Sequence, residues 1–283
     1  MKILLHTLLW LWCTQALAAP ALWSATRGEQ QLWLFGSIHL ADERLARLPP
    51  LLLQALEQSE LLLLEVDPLA ITPDSLGSVI EPDTDWQARL GAPLAQELAT
   101  TVATSGQPGL RRLPPWFAAL QLTQLKAAEL GFHSHQGVDM QLRMLARQQS
   151  LPVAGLESPT LVLGLLGSMH QRQLEADFVR HSLDEMTQMA DHLERLMETW
   201  LSGDEQALLT LLREQPGPRL GRFIEQELLH SRNRLWLERL EQLAPKRALM
   251  VVGALHLYGE QGIIALLADA GYTLSKTEDI TLY

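Results

Sequence analysis

The chain has 283 residues, 47% of them hydrophobic and 19% charged, a composition that supports a sizeable core and excludes wholesale disorder. Its 33 acidic against 22 basic residues leave a formal charge of −11. A surface of that sign repels phosphate backbones and no Lys/Arg cluster offsets it locally, so no nucleic-acid partner is expected.

Residues 1–18 stand apart. Lys2 supplies a positive start, Ile3 to Trp12 form an apolar run, and Ala16-Leu17-Ala18 has the small-x-small form of a cleavage site. The apolar run, about ten residues, is too short to cross a bilayer core of roughly 30 Å as a helix. The segment reads as a secretory signal peptide cleaved after Ala18, which implies a periplasmic or secreted protein with no stable membrane insertion. Trp12 is too bulky to precede a lipid-modified Cys13. The only cysteine is Cys13, and it would leave with the signal. Residues 19–283, expected as one α/β domain, then contain no disulfide and no thiolate nucleophile.

In chain order, Ala21 to Thr26 and Gln31 to Ile38 predict a hairpin turning at Arg27–Gln30. Ala41 to Glu60 has helical spacing interrupted by Pro49-Pro50, and Leu61 to Leu64 reads as a short strand buried on both faces. Asp67 to Asp85 carries Pro68, Pro73 and Pro82 and reads as loop with short helical turns. Helices follow over Trp86–Ser105, Trp116–Leu130 and Val138–Gln149, then a strand over Leu151–Leu156. Gln171 to Leu201 is the longest periodic stretch and predicts a long amphipathic helix. Its Met and aromatic stripe reads as core packing, with ligation as the alternative. Helices over Asp204–Glu214 and Leu220–Leu243, a buried strand over Arg247–Gly253, a helix over Glu260–Ala270, and strands over Tyr272–Ser275 and Asp279–Tyr283 complete the chain. Short apolar strands alternating with helices predict an α/β fold. Its central sheet should be mostly parallel and flanked by helices, with a helical excursion around 160–245.

There is no phosphate loop, no Gly-x-Gly-x-x-Gly, no His-Glu-x-x-His and no Gly-x-Ser-x-Gly. A repeated strand-end grammar is present instead. Gly36-Ser37-Ile38-His39 follows one apolar strand and Gly253-Ala254-Leu255-His256 another, while Glu65 and Glu157 follow two more. In a parallel sheet those carboxyl ends share the edge where ligands bind. Two imidazoles with one or two carboxylates are a donor set for a divalent metal. Glycine three residues before each histidine suits a sharp turn or a close backbone approach.

Each residue has a plainer reading. A histidine after a strand can be a hydrogen-bonded core residue, Glu65 can cap the segment after it, and Glu157 can serve a helix N-terminus. His133 and His135 fall in a Gly-flanked loop. His170, His181, His192 and His230 lie in helical stretches without a ligand pattern. On the helix carrying Ser231-Arg232-Asn233-Arg234, ideal 100° steps place Ile224 and Leu235 within about 40° of Leu228 and Arg232 about 40° to the other side. Arg232 is thus set on the apolar face, as an electrostatic residue or as the partner of a buried carboxylate such as Asp139. Arg234 points away.

Taken in order, Leu34-Phe35-Gly36-Ser37-Ile38-His39, Leu64-Glu65, Gly137-Val138-Asp139, Gly155-Leu156-Glu157, Arg232-Asn233 and Gly253-Ala254-Leu255-His256-Leu257-Tyr258-Gly259 resemble the TraB/GumN/Tiki family. That family is similar to a wider group holding erythromycin esterase and haem-binding ChaN-like proteins. The resemblance implies a central sheet with its site at one edge and a metallopeptidase acting on a peptide or protein substrate. By resemblance His39, Glu65 and His256 hold or activate the metal, manganese or cobalt as in animal Tiki members, with zinc open. Arg232 faces the substrate. Asp139, Glu157, Gly36 and Gly253 support the centre, and Glu65 is either a ligand or the general base. Ser37 stands where threonine is usual, and no glutamine closely follows Glu157. The relatives also imply an alternative, a non-catalytic haem- or metal-binding protein of the cell envelope.

Overall fold

The structure, a computed structural model, describes residues 20–277 apart from residues 78 and 214–216. The signal segment and the strand expected over Asp279–Tyr283 lie outside the described residues. Six strands form one sheet: β1 (Leu22–Arg27), β2 (Gln30–Ser37), β3 (Leu61–Leu64), β4 (Val153–Gly155), β5 (Arg247–Gly253) and β6 (Thr273–Thr277). Their order is β4-β3-β5-β2-β1-β6. The four strands from β4 to β2 are parallel, and β1 runs antiparallel to both β2 and β6. The sheet is mixed and mostly parallel, an α/β architecture.

Alternation along the strands divides the core. Phe35, Leu62, Leu64, Leu249 and Val251 face helices Pro50–Gln58 and Val138–Gln148, whereas Leu34, Leu63, Met250 and Val252 face helices Ser231–Leu243 and Ile263–Asp269. With both faces covered, strand segments such as Leu61-Leu62-Leu63-Leu64 are apolar throughout. Each leucine so buried contributes roughly 1.5–3 kcal/mol. The central strand β5 is entered and left by helices on the second face, while the connections leaving β2 and β3 run over the first. That change of side beside β5 is the topological switch point at which such sheets bind ligands.

Several boundaries differ from the sequence reading for local reasons. The helix expected over Trp86–Ser105 is split into Trp86–Leu90 and Ala92–Thr104 by Gly91, whose φ is +80°. The long helix begins at Glu175 rather than Gln171, after Gln173 turns at φ +57°. Its Glu175 is 2% exposed and takes two 2.7 Å bonds from Arg89. The helical excursion is wider than 160–245, because the helices Trp86–Leu90, Ala92–Thr104 and Pro115–Glu129 pack against the long helix in a separate apolar cluster. Met189 and Met197 are buried in the sheet-side core, so the methionine stripe packs. Among the described residues no helix is long and apolar enough to cross a membrane.

The helix from Pro218 to Leu243 is continuous but π-helical over Ile224–His230, where Ser231 N–H reaches back to Gln226 O. The extra residue per turn makes the following turns lag behind an ideal wheel. Leu235, expected on the apolar face, is 47% exposed, whereas Asn233 and Trp236 are buried. Arg232 stays buried and Arg234 is exposed.

Candidate active site

Register brings the four carboxyl ends level: Ser37 lies opposite Gly253, Phe35 opposite Val251, and Leu64 opposite both Val251 and Gly155. The residues that follow, His39, His256, Glu65 and Glu157, therefore emerge along one edge. Glu65 does not cap its loop; Asp67 does that by accepting from Leu69 N. Nor does Glu157 serve the next helix, whose first turn is capped by Ser158. Both carboxylates are left for the site.

His39 remains exposed, its side chain 61% open. Its Nδ1 lies 3.0 Å from Asp139 Oδ2, and Ser37 Oγ donates to the other oxygen of Asp139 at 3.1 Å. Gly137 makes this possible, because a Cβ there would collide with the His39 carbonyl. The charge of the neighbouring Asp139 carboxylate pushes the His39 pKa up to about 9.

His256 follows Gly253 within a short helical turn, Ala254–Leu257, and is 5% exposed. Its Nδ1 lies 2.7 Å from Asn233 Oδ1 and its Nε2 3.1 Å from Arg232 Nη1. The Trp236 ring covers it at 4.3 Å between centroids. Burial pulls its pKa down to about 3, so the ring is neutral.

Arg232 joins the cluster, and its partners are Glu157 and Glu65 rather than Asp139. Nε donates to Glu157 at 3.0 and 3.1 Å, Nη2 to Glu65 Oε2 at 2.8 Å and also to Glu157 Oε1, and Nη1 to Leu228 O at 2.8 Å and to His256 Nε2. All five guanidinium donors are thereby engaged. Burial opposes the charge on Arg232, and the two carboxylates more than restore it. Burial drives Glu157 upward despite Arg232. For Glu65 burial also acts upward, but the charges of His39 and Arg232 and the Gly253 N–H outweigh it and hold the carboxyl at about 2.

Glu65 Oε1 is the focus. It accepts from Gly253 N at 2.6 Å and lies 4.0 Å from His39 Nε2 and 3.9 Å from His256 Nε2. A Cβ on Gly253 would stand 3.1 Å from that oxygen, and one on Gly36 would stand 3.1 Å from Ala254. Neither glycine has a positive φ, so close approach, not a sharp turn, explains both. The donor set fits a divalent ion in kind: two imidazole Nε2 atoms and one carboxylate oxygen, with each ring anchored through Nδ1. The two separations exceed those between donors sharing one ion, about 3–3.5 Å for metal bonds near 2.1 Å, and Arg232 occupies the His256 lone pair.

Five of the other histidines gather elsewhere. His133 and His135 stack on each other at 5.1 Å, His170 meets Glu175, and His181 and His192 meet Glu185. Two site residues were given no task by the sequence reading, Ser37 and Asn233. Their place beside His39 and Arg232 was the available signal.

The uncharacterized protein YbaP of Escherichia coli (strain K12) is 28% identical over 262 residues, covering 87% of this chain and 96% of that protein. YbaP of Shigella flexneri matches to the same extent. No solved structure matches. The sequence signature of the TraB/PrgY/gumN family extends over residues 21–276, which include every residue of the cluster, and the chain belongs to that family.

Proposed function

We propose that this chain is an exported metal-dependent hydrolase that cleaves peptide bonds. One observation carries the reading: two anchored imidazoles turn their Nε2 atoms toward the same Glu65 oxygen, at 4.0 and 3.9 Å, at the sheet's switch point. His39, His256 and Glu65 Oε1 would hold a divalent ion, manganese or cobalt by the family resemblance or else zinc, and such an ion acidifies a bound water and polarises a carbonyl.

The chain's own groups do the rest. Asp139 keeps His39 oriented from behind, and Asn233 does the same for His256. Gly253 N–H and Arg232 hold Glu65 as a carboxylate in one orientation. An imidazole nitrogen has a single lone pair, so His256 Nε2 cannot serve a metal and accept from Arg232 together. With His256 Nε2 held by such an ion, one Nη1 hydrogen of Arg232 would be free for a substrate oxygen, a type of contact typically worth about 3–4 kcal/mol to a transition state. Export is supported by the signal-like residues 1–18. The burial of Met189 and Met197 favours this reading over haem ligation.

The test is incubation of mature protein with a mixed peptide library in manganese, beside a chelated control and the His256→Ala variant, read by mass spectrometry. Cuts that require both the metal and His256 are expected. Cleavage that persists in the chelated tube or in the variant overturns the mechanism. Silence in every tube with a Soret band on adding haem would make the chain a binder.

A further inference from the structure

We infer that Asn233 is the positioning residue that locks His256 into the tautomer with its proton on Nδ1, leaving the Nε2 lone pair directed at the site. The assignment of hydrogens follows from the neighbours. Asn233 Nδ2 lies 2.8 Å from Gln261 O and 3.2 Å from His256 O. Two carbonyls can only accept, so that atom is the amide nitrogen and Oδ1 is the atom 2.7 Å from His256 Nδ1. Nδ1 must then donate. On the opposite side Arg232 has only hydrogens to offer, so Nε2 accepts. The competing tautomer has a partner of its own, because an Nε2 proton could turn to Glu65 Oε1, 3.9 Å away. Without an acceptor at Nδ1 that competitor gains, and the ring would present a hydrogen where the site needs a lone pair. Asn233 is 1% exposed and uses all three of these contacts.

Helix geometry shows why two consecutive residues reach the two nitrogens of one ring. In an uninterrupted α-helix Asn233 would lie about 140° from Leu228. The π-helical turn over Ile224–His230 rotates it inward beside Arg232, consistent with the use of such turns at functional sites.

The test uses 15N-labelled, metal-free mature protein and the long-range 1H–15N correlations of the His256 ring, assigned with His256→Gln. The wild type is expected to show a protonated Nδ1 and an unprotonated Nε2. Asn233→Ala is expected to add the Nε2-protonated form. Asn233→Asp, which still accepts but no longer donates to the carbonyls, should keep Nδ1 protonated while amide exchange around Gln261 and Gly262 accelerates. A wild-type ring protonated on Nε2 overturns the inference. So does Asn233→Ala with an unchanged ring spectrum, and, should that variant not fold, so does Asn233→Asp with Nδ1 unprotonated. The consequence for metal rests on the hydrolase reading: Mn2+ affinity of Asn233→Ala should fall 10–100-fold, the usual scale for such supporting contacts. A wild type that binds no Mn2+ overturns that reading and leaves the tautomer measurement to decide the role of Asn233.

Discussion

The ends of β2 and β5 carry the same four-residue spelling and build opposite environments from it. After β2 the chain bends away at His39 without a helical turn, so His39 reaches solvent with a carboxylate, Asp139, behind it. After β5 the chain winds into a helical turn, so His256 is buried with an amide, Asn233, behind it and Arg232 in front. A charged backing group in a half-open setting makes one imidazole basic, and a neutral backing group in a dry one keeps the other neutral. The two ends are also packed on each other, since Gly36 is limited by Ala254 of the opposite motif. Spelling therefore sets where each histidine goes, and the elements that fold over it set what it does.

The largest expected effect belongs to the buried end. Arg232→Met leaves Glu65 and Glu157 without their shared counter-charge, and breaking a buried ion network by removing one partner costs about 3–5 kcal/mol. Urea denaturation should register that loss, whereas Asp139→Asn at the open end should change stability far less. Similar losses from both variants would erase the contrast.

The glycines sharpen it. A methyl at Gly36 meets the Ala254 backbone at 3.1 Å, which cannot move aside, while a methyl at Gly253 meets only side chains, the Glu65 carboxylate first and the two histidine rings beyond it. Overpacking of the first kind costs about 1–3 kcal/mol. Gly36→Ala should thus lower the melting temperature more than Gly253→Ala, and, on the proposed hydrolase reading, Gly253→Ala should lose more manganese-dependent cleavage. The reverse ranking would mean that Gly253 is limited by backbone after all.

A smaller effect is expected where the long helix touches the open end. Trp200 Nε1 donates to Gly36 O at 2.9 Å in a buried contact. Trp200→Phe keeps most of the ring and removes that donor, at a cost of about 1 kcal/mol by denaturation. No measurable loss would show that Gly36 O finds another donor.

Much of this was legible in the sequence. The all-apolar Leu61–Leu64 and Arg247–Gly253 strands, the Gly-x-x-His ends and the carboxylates after β3 and β4 carry their own signals, because burial on both faces and sheet register are local patterns. The pairing within the cluster was not. Arg232 was set on the buried face correctly, but its partners come from β3 and β4, and nothing near Arg232 in sequence encodes that. Asn233 was hidden by the wheel itself, since a π-helical turn shifts phase and the seven residues Ile224–His230 look like ordinary helix. The split at Gly91 and the late start of the long helix depend on left-handed residues, one of which, Gln173, gives no compositional warning.

The pH behaviour of the two rings tests the opening contrast with the least disturbance to the fold. In metal-free protein, with ring protonation followed by NMR, His39 should titrate near 9 and His256 should stay unprotonated down to about 3. For His39 the folded value lies above the unfolded one, about 6.5, so its contribution to stability is complete below 6.5 and is lost as pH rises through 9. For His256 the folded value lies below the unfolded one, so its contribution is present above 6.5 and is lost as pH falls toward 3. Asp139→Asn removes the charge behind His39 and should bring its midpoint down toward 6.5 while His256 does not move. A His39 midpoint near 6.5 in the wild type would mean that solvent at the open end screens Asp139, and the two strand ends would then differ in burial alone.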